Sequence, residues 1–114
     1  MPRGGRAVQA ERARRHFAYL LRCADGTYYA GYTVDPLRRL VAHRLGQASR
    51  YTRGRGPLSL AAVWHCPTRR AALRLERMLK RLPHAAKQRL ASGDPIGHVV
   101  AGAARLGIRR RMMC

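Results

Sequence analysis

Two short segments with alternating side chains flank the dipeptide Asp25-Gly26, and this arrangement limits the fold more than any other feature of the chain. Residues 17–22 alternate as in a strand with one deeply buried face, and residues 28–32 return as a second strand. An Asp-Gly pair between two such segments is a strong signal for a tight hairpin turn. The ordered part of the chain is therefore predicted to begin with an antiparallel hairpin.

A helix is predicted directly after the hairpin. Asp35 can cap its start, Pro36 suits the first helical position, and Gly46 can end it. Its spacing predicts an apolar face that packs on the sheet. That predicted face consists of Leu37, Leu40, Val41 and Leu45.

The second half of the chain predicts one more strand and further helices. Leu58 to His65 indicates a third strand, Thr68 can cap a long helix to Leu82, and shorter helices follow through Leu90 and over 96–106. This order predicts an α+β fold with a central three-stranded antiparallel β-sheet flanked by helices. We expect a flexible basic arm over 1–15, the main domain over 16–92, and a C-terminal helix and loose basic tail over 93–114.

The charge balance indicates the class of partner. The chain has 24 Lys and Arg residues against 5 Asp and Glu residues, for a net charge of +19. The excess is not confined to the ends, because residues 16–104 contain 15 basic and four acidic side chains. Such a field attracts polyanions, and arginine forks bind phosphate oxygens well. Because no long apolar run or strongly amphipathic basic helix is evident, we expect nucleic acid and no membrane as the partner.

Glu76 is the one carboxylate of this segment that no turn or helix cap explains. A phosphodiesterase needs an anionic anchor for Mg²⁺ or Mn²⁺, since these hard cations prefer oxygen ligands. The alternative is an ordinary helix ion pair with Lys80, four residues later. From this residue alone, the ion pair is the better interpretation.

Two tyrosines and a helix pair complete the candidates for chemistry. Tyr19 and Tyr29 lie on strands of the same hairpin, and a phenol beside a cation can act as a general base. Arg39 and His43 are one helical turn apart, where they could stabilise charge and orient or donate a proton at a phosphate. The alternatives are that the two tyrosines only pack within the sheet and that Arg39 and His43 lie on a solvated helix face. Each signal, taken alone, favours its alternative.

Taken together, these residues resemble a known family. Phe17-Ala18-Tyr19, Tyr29-Ala30-Gly31, Arg39 with His43, and Glu76 resemble the GIY-YIG endonuclease superfamily, and most closely its small stand-alone bacterial members of the UPF0213 type. The resemblance covers about Phe17 to Leu90. Phe17-Ala18 replaces Gly-Ile, and the asparagine that many larger members use has no counterpart, because the sequence contains no Asn.

The resemblance implies a metal-dependent endonuclease that cuts DNA, with single-stranded DNA as the leading substrate. A cytoplasmic location is expected separately, from three cysteines without metal-type spacing and from the lack of a signal peptide pattern. Glu76 would hold one Mg²⁺ or Mn²⁺ ion, and Tyr19 or Tyr29 would be the general base. Arg39 would stabilise the transition state, with His43 as its helical companion. Gly31 would be the motif glycine. Nucleic acid would be bound by Arg38, Arg50, Tyr51, Arg53 and Arg55.

Two rival functions remain open. A non-catalytic basic nucleic-acid-binding protein could keep this fold, and composition alone favours it. A peripheral membrane protein ranks last, for want of apolar anchors on a basic helix. The retained tyrosines, Arg39, His43 and Glu76 favour the nuclease, because a simple binder needs no lone carboxylate facing a polyanion.

Overall fold

The computed structural model describes residues 15–99 and 108–111. Within them, the strands are β1 (His16–Arg22), β2 (Tyr28–Thr33), β3 (Ser59–Cys66) and β4 (Arg109–Arg110). The helices are α1 (Pro36–Arg44), α2 (Arg69–Arg81), α3 (His84–Ala91) and α4 (Ile96–Val99). The predicted basic arm lies almost wholly outside these residues, as do residues 100–106 of the predicted last helix. No helix in the described ranges is both long and apolar enough to cross a bilayer.

The strands form an antiparallel sheet in the order β2-β1-β3-β4. The predicted hairpin is present, with Gly26 at φ +84° and the Thr27 amide donating to Asp25 Oδ1 at 3.1 Å. Its register places Tyr19 opposite Gly31 and Leu21 opposite Tyr29. The α+β prediction is therefore confirmed, with the short strand β4 added to the three that were expected.

The two faces of the sheet are covered differently. One face packs Ala18, Leu20 and Trp64 against Leu75 and Leu79 of α2, in an apolar core that extends to Leu90, Ile96 and Ile108. The other face has a smaller cluster of Phe17, Tyr19, Leu21 and Val63, with Leu40 of α1 packed against it. The main core thus lies under α2 to α4, and α1 covers the face that carries Tyr19.

The predicted start signals of both long helices are confirmed. The Asp35 carboxylate accepts from the Arg38 amide at 3.1 Å, and the Thr68 hydroxyl accepts from the Ala71 amide at 3.1 Å. Gly46 follows α1 with φ +73°, a backbone conformation that glycine adopts without strain.

The predicted apolar face of α1 is correct at Leu40, which packs against the smaller cluster, and wrong at its other three residues. Leu37 is 69% exposed, Val41 53% and Leu45 64%, while Pro36 and His43 are buried. The physical reason is a buried polar contact: α1 is rotated so that His43 meets Tyr19, and the leucines on the neighbouring side consequently face solvent.

The C-terminal part also differs from its expectation as a loose tail. Arg109 and Arg110 pair with His65 and Trp64 of β3, and the buried Ile108 joins the main core. A two-residue strand is too short to produce an alternating pattern, so periodicity could not reveal it.

Candidate active site

Gly31 positions the phenol of Tyr19. The two residues are paired across β1 and β2, and a Cβ atom built on Gly31 would overlap the hydroxyl and ring of Tyr19. The tyrosine ring therefore lies directly across the glycine backbone, which no other residue type would permit. The glycine of the motif Tyr29-Ala30-Gly31 thus leaves space for the Tyr19 side chain on the opposite strand.

A buried hydrogen-bonded chain holds the same phenol from the other side. Tyr19 Oη lies 2.8 Å from His43 Nε2, and His43 Nδ1 lies 2.8 Å from Thr52 Oγ1. The Thr52 hydroxyl donates its single proton to the Ser49 carbonyl at 3.3 Å. Its oxygen must then accept from His43 Nδ1–H, which leaves Nε2 to accept from the Tyr19 hydroxyl.

Burial fixes the protonation states of this chain. It lowers the pKa of His43 from 6.5 to about 4, with a further contribution from the positive charge of Arg39. Burial also raises the pKa of Tyr19 above its usual value, as do Tyr29 and Glu76, while Arg39 acts in the opposite direction. At neutral pH the imidazole is accordingly neutral and the phenol protonated.

Tyr29 stands beside this pair. Its ring centroid is 6.5 Å from that of Tyr19 and 5.1 Å from that of His43, and its side chain is half-buried. Tyr51 stacks on it at 5.9 Å between centroids, with an interplanar angle of 27°. The structure therefore brings both predicted tyrosines, His43 and Tyr51 into one cluster.

Arg39 and Glu76 lie on different helices. Arg39 is exposed on α1, and its charge influences the pKa of both Tyr19 and His43. Glu76 lies on α2, which packs on the opposite face of the sheet, and its charge contributes to the raised pKa of Tyr19.

The Glu76 carboxylate fits a metal site with few protein ligands. Its side chain is 19% exposed, and Lys80 Nζ lies 3.7 Å from Oε2, so the predicted ion pair is present but long. The described residues contain no group of three or more His, Cys, Asp and Glu side chains that could hold an ion. A single carboxylate suits Mg²⁺, which keeps several waters and commonly binds through one or two carboxylates plus substrate phosphates.

The predicted nucleic-acid-binding residues divide into two groups. Arg38 and Arg50 are exposed, and Arg38 lines a cavity of about 670 Å³ with Arg39 and Asp35. Arg53 and Arg55 are already engaged within the protein. Arg53 Nε donates to the Gly46 carbonyl at 3.1 Å, and Arg55 pairs with Asp25 at 2.7 Å while it covers the Tyr51 ring at 4.3 Å.

Thr52 is the site residue that sequence reasoning missed. It is 1% exposed and supports His43, although it lies in the basic loop over 47–57, whose arginines and glycines predict an exposed segment. A lone threonine among arginines carries no periodic signal, so only the fold reveals its role.

The comparisons with known proteins agree with this architecture. A family model described as the GIY-YIG catalytic domain matches residues 15–89. A UPF0213 protein of Halalkalibacterium halodurans is 44% identical over 77 residues, which are 68% of this chain and 82% of that protein. A UPF0213 protein of Nitratidesulfovibrio vulgaris is 48% identical over 89 residues, or 76% of this chain and 79% of that protein.

A solution NMR structure of the UPF0213 protein from Bacillus halodurans shares 43% identity with this chain. The match covers 71% of this chain and 88% of that one, with a TM-score of 0.45. The segment matched by the family model contains Tyr19, Tyr29, Arg39, His43 and Glu76. The chain therefore belongs to the GIY-YIG family.

Proposed function

We propose that this protein is a divalent-metal-dependent endonuclease that hydrolyses phosphodiester bonds in DNA, with single-stranded DNA as the leading substrate. One observation carries the proposal: a buried phenol, hydrogen-bonded to a neutral imidazole, is under the electrostatic influence of both Arg39 and Glu76. A protein that only binds nucleic acid has no need for such an arrangement. The family match supports the same reaction class.

Tyr19 is the proposed general base. Its own proton points at His43 Nε2, so a lone pair of Oη is left to accept a proton from the attacking water. His43 can receive the phenol proton in the same event, because its pKa of about 4 keeps Nε2 unprotonated at neutral pH. Transfer is uphill between these two groups alone, so positive charge near the phenol is required.

Arg39 and the metal ion are the proposed sources of that charge. The guanidinium opposes the rise in the pKa of Tyr19, although it also lowers the pKa of His43, and it can stabilise the charge that develops on the phosphate. Glu76 would hold Mg²⁺ or Mn²⁺. The ion supplies Lewis-acid stabilisation and orients the scissile phosphate when it is bound.

The basic side chains around the cluster are proposed to hold the substrate. Arg38 and Arg50 are free to contact phosphates, and the 39% exposed Tyr51 can stack on a base. Arg53 and Arg55 contribute mainly by shaping the loop, since their guanidinium groups bind Gly46 and Asp25. A cytoplasmic location remains an expectation, consistent with the free cysteines Cys23 and Cys66.

The test is cleavage of labelled single-stranded DNA, duplex DNA and RNA in Mg²⁺, Mn²⁺ or EDTA. We expect metal-dependent cleavage that falls about 10²–10³-fold in Arg39→Ala and Glu76→Gln. Asp94→Asn is the matched control, because it removes the same charge from a carboxylate that pairs with Arg89 at 2.9 Å. Binding without cleavage in every metal would instead establish the non-catalytic binder.

A second comparison identifies the base. Tyr19→Phe should lower the cleavage rate by about 10²–10⁴-fold, whereas Tyr29→Phe, which keeps the Tyr19–His43 hydrogen bond, should cost less. The reverse order would assign the base to Tyr29. Activity unaffected by either variant would remove the phenols from the mechanism.

A further inference from the structure

A stripe of arginines runs along the outer surface of α2, away from the candidate active site. Its members follow one another at intervals of four, three and four residues, so they share one helical face. With Met78 they line a groove of about 590 Å³. The arginine stripe consists of Arg70, Arg74, Arg77 and Arg81.

The stripe is separated from the cluster around Tyr19. At 100° per residue, its centre lies roughly opposite the buried Leu75 and Leu79, and about 130° around the helix from Glu76. Helix α2 covers the sheet face that α1 does not, so the stripe and the basic loop after α1 point away from different sides of the sheet. A single short stretch of nucleic acid on the loop would not lie on the stripe.

All four arginines are exposed, and none forms an ion pair with a described carboxylate. Like charges at positions i and i+4 destabilise a helix. The helix therefore carries a repulsive row of exposed guanidinium groups. An external polyanion would neutralise it.

The dimensions of the stripe suit a nucleic-acid backbone. Eleven helical steps from Arg70 to Arg81 extend about 16 Å, which is long enough to contact several successive phosphates of one strand. Guanidinium groups bind phosphate oxygens through paired hydrogen bonds. We propose that the arginine stripe is a second nucleic-acid-binding surface, which holds the phosphate backbone of a segment other than the one at the candidate active site.

The experiment measures binding without cleavage. Binding of a fluorescent single-stranded oligonucleotide, long enough to reach both surfaces, is followed in EDTA over a series of salt concentrations. The test variant carries Arg74→Gln, Arg77→Gln and Arg81→Gln. The charge-matched control carries three exposed substitutions elsewhere, Arg22→Gln, Arg89→Gln and Arg109→Gln.

The stripe variant should bind about tenfold more weakly or worse, and the slope of log K against log salt should fall by about two, because about 0.7 counterions are released per phosphate contact. The control should change affinity by no more than about twofold. Equal losses of affinity in the two variants would show that only the net charge matters, and this result would overturn the proposal. Loss of binding to vesicles of anionic lipid, with oligonucleotide binding unchanged, would make the stripe a membrane-binding surface instead.

The proposal stands apart from the hydrolytic one. If cleavage is never observed but the stripe variant still loses affinity, the second surface is upheld and the endonuclease is not. Circular dichroism of both arginine variants checks that α2 remains folded.

Discussion

The two faces of the sheet differ in what they bury. Under α2 and α3 the sheet buries leucines, alanines and Trp64 in a continuous apolar core. Under α1 it buries a polar chain, Tyr19–His43–Thr52, while Leu37 and Val41 of the covering helix are exposed. One face is organised for stability, and the other gives up apolar burial to hold a phenol and an imidazole in contact.

The largest loss of stability is expected from a substitution on the apolar face. Leu75 is fully buried between α2 and the sheet, so Leu75→Ala removes packing and leaves a cavity. We expect the free energy of unfolding to fall by about 2–5 kcal/mol, measured by urea denaturation. A loss below about 1 kcal/mol would show that the main stabilising core lies elsewhere.

The polar face should instead make the free energy of unfolding depend on pH. His43 has a folded-state pKa of about 4, below the ordinary value of 6.5, so between these values the unfolded chain binds more protons. Its contribution to stability is therefore present above pH 6.5 and is lost as the pH falls towards 4, by at most about 3 kcal/mol. Urea unfolding across this range should show the loss in the wild-type protein and a smaller one in His43→Gln. Identical pH profiles would mean that His43 is not buried in its neutral form.

The same contrast explains what could be predicted from the sequence. The hairpin and the Asp35 and Thr68 caps follow from local turn and capping rules, and the structure has them all. The periodicity rule differs from these, because it assumes that a helix buries its apolar side chains. It failed on α1 at three positions, where the exposed Leu37, Val41 and Leu45 have the spacing of a buried stripe.

The sequence predicted the main residues of the candidate site but not the contacts that support them. Tyr19, Tyr29, Arg39, His43 and Glu76 came from a family pattern, and their catalytic roles remain proposals. The pattern says nothing about Thr52, whose support of His43 depends on a loop folding back onto α1. It also gives no physical reason for Gly31, whose role depends on its pairing with Tyr19 across the two strands.

Gly31→Ala sharpens the comparison by adding one methyl group to the polar face. The new Cβ would overlap the Tyr19 ring, so the phenol must leave His43 or the strands must separate. We expect a loss of about 1–3 kcal/mol in unfolding free energy, together with loss of any cleavage activity that depends on Tyr19. Gly97→Ala is the control, because a Cβ there meets nothing within 4 Å. Wild-type stability in Gly31→Ala would show that the Tyr19 ring does not lie on the glycine.

The smallest effect is expected where a sequence pattern suggests a large one. Leu37 is 69% exposed on α1, so Leu37→Ala should change the free energy of unfolding by less than about 0.5 kcal/mol, far less than the same substitution at Leu75. Urea denaturation of the two variants at one protein concentration gives the comparison directly. A loss at Leu37 that approached the loss at Leu75 would mean that this side of α1 is covered in solution. Repeating the measurement at several protein concentrations would then show whether a second copy of the chain covers it, because stability that depends on association rises with concentration.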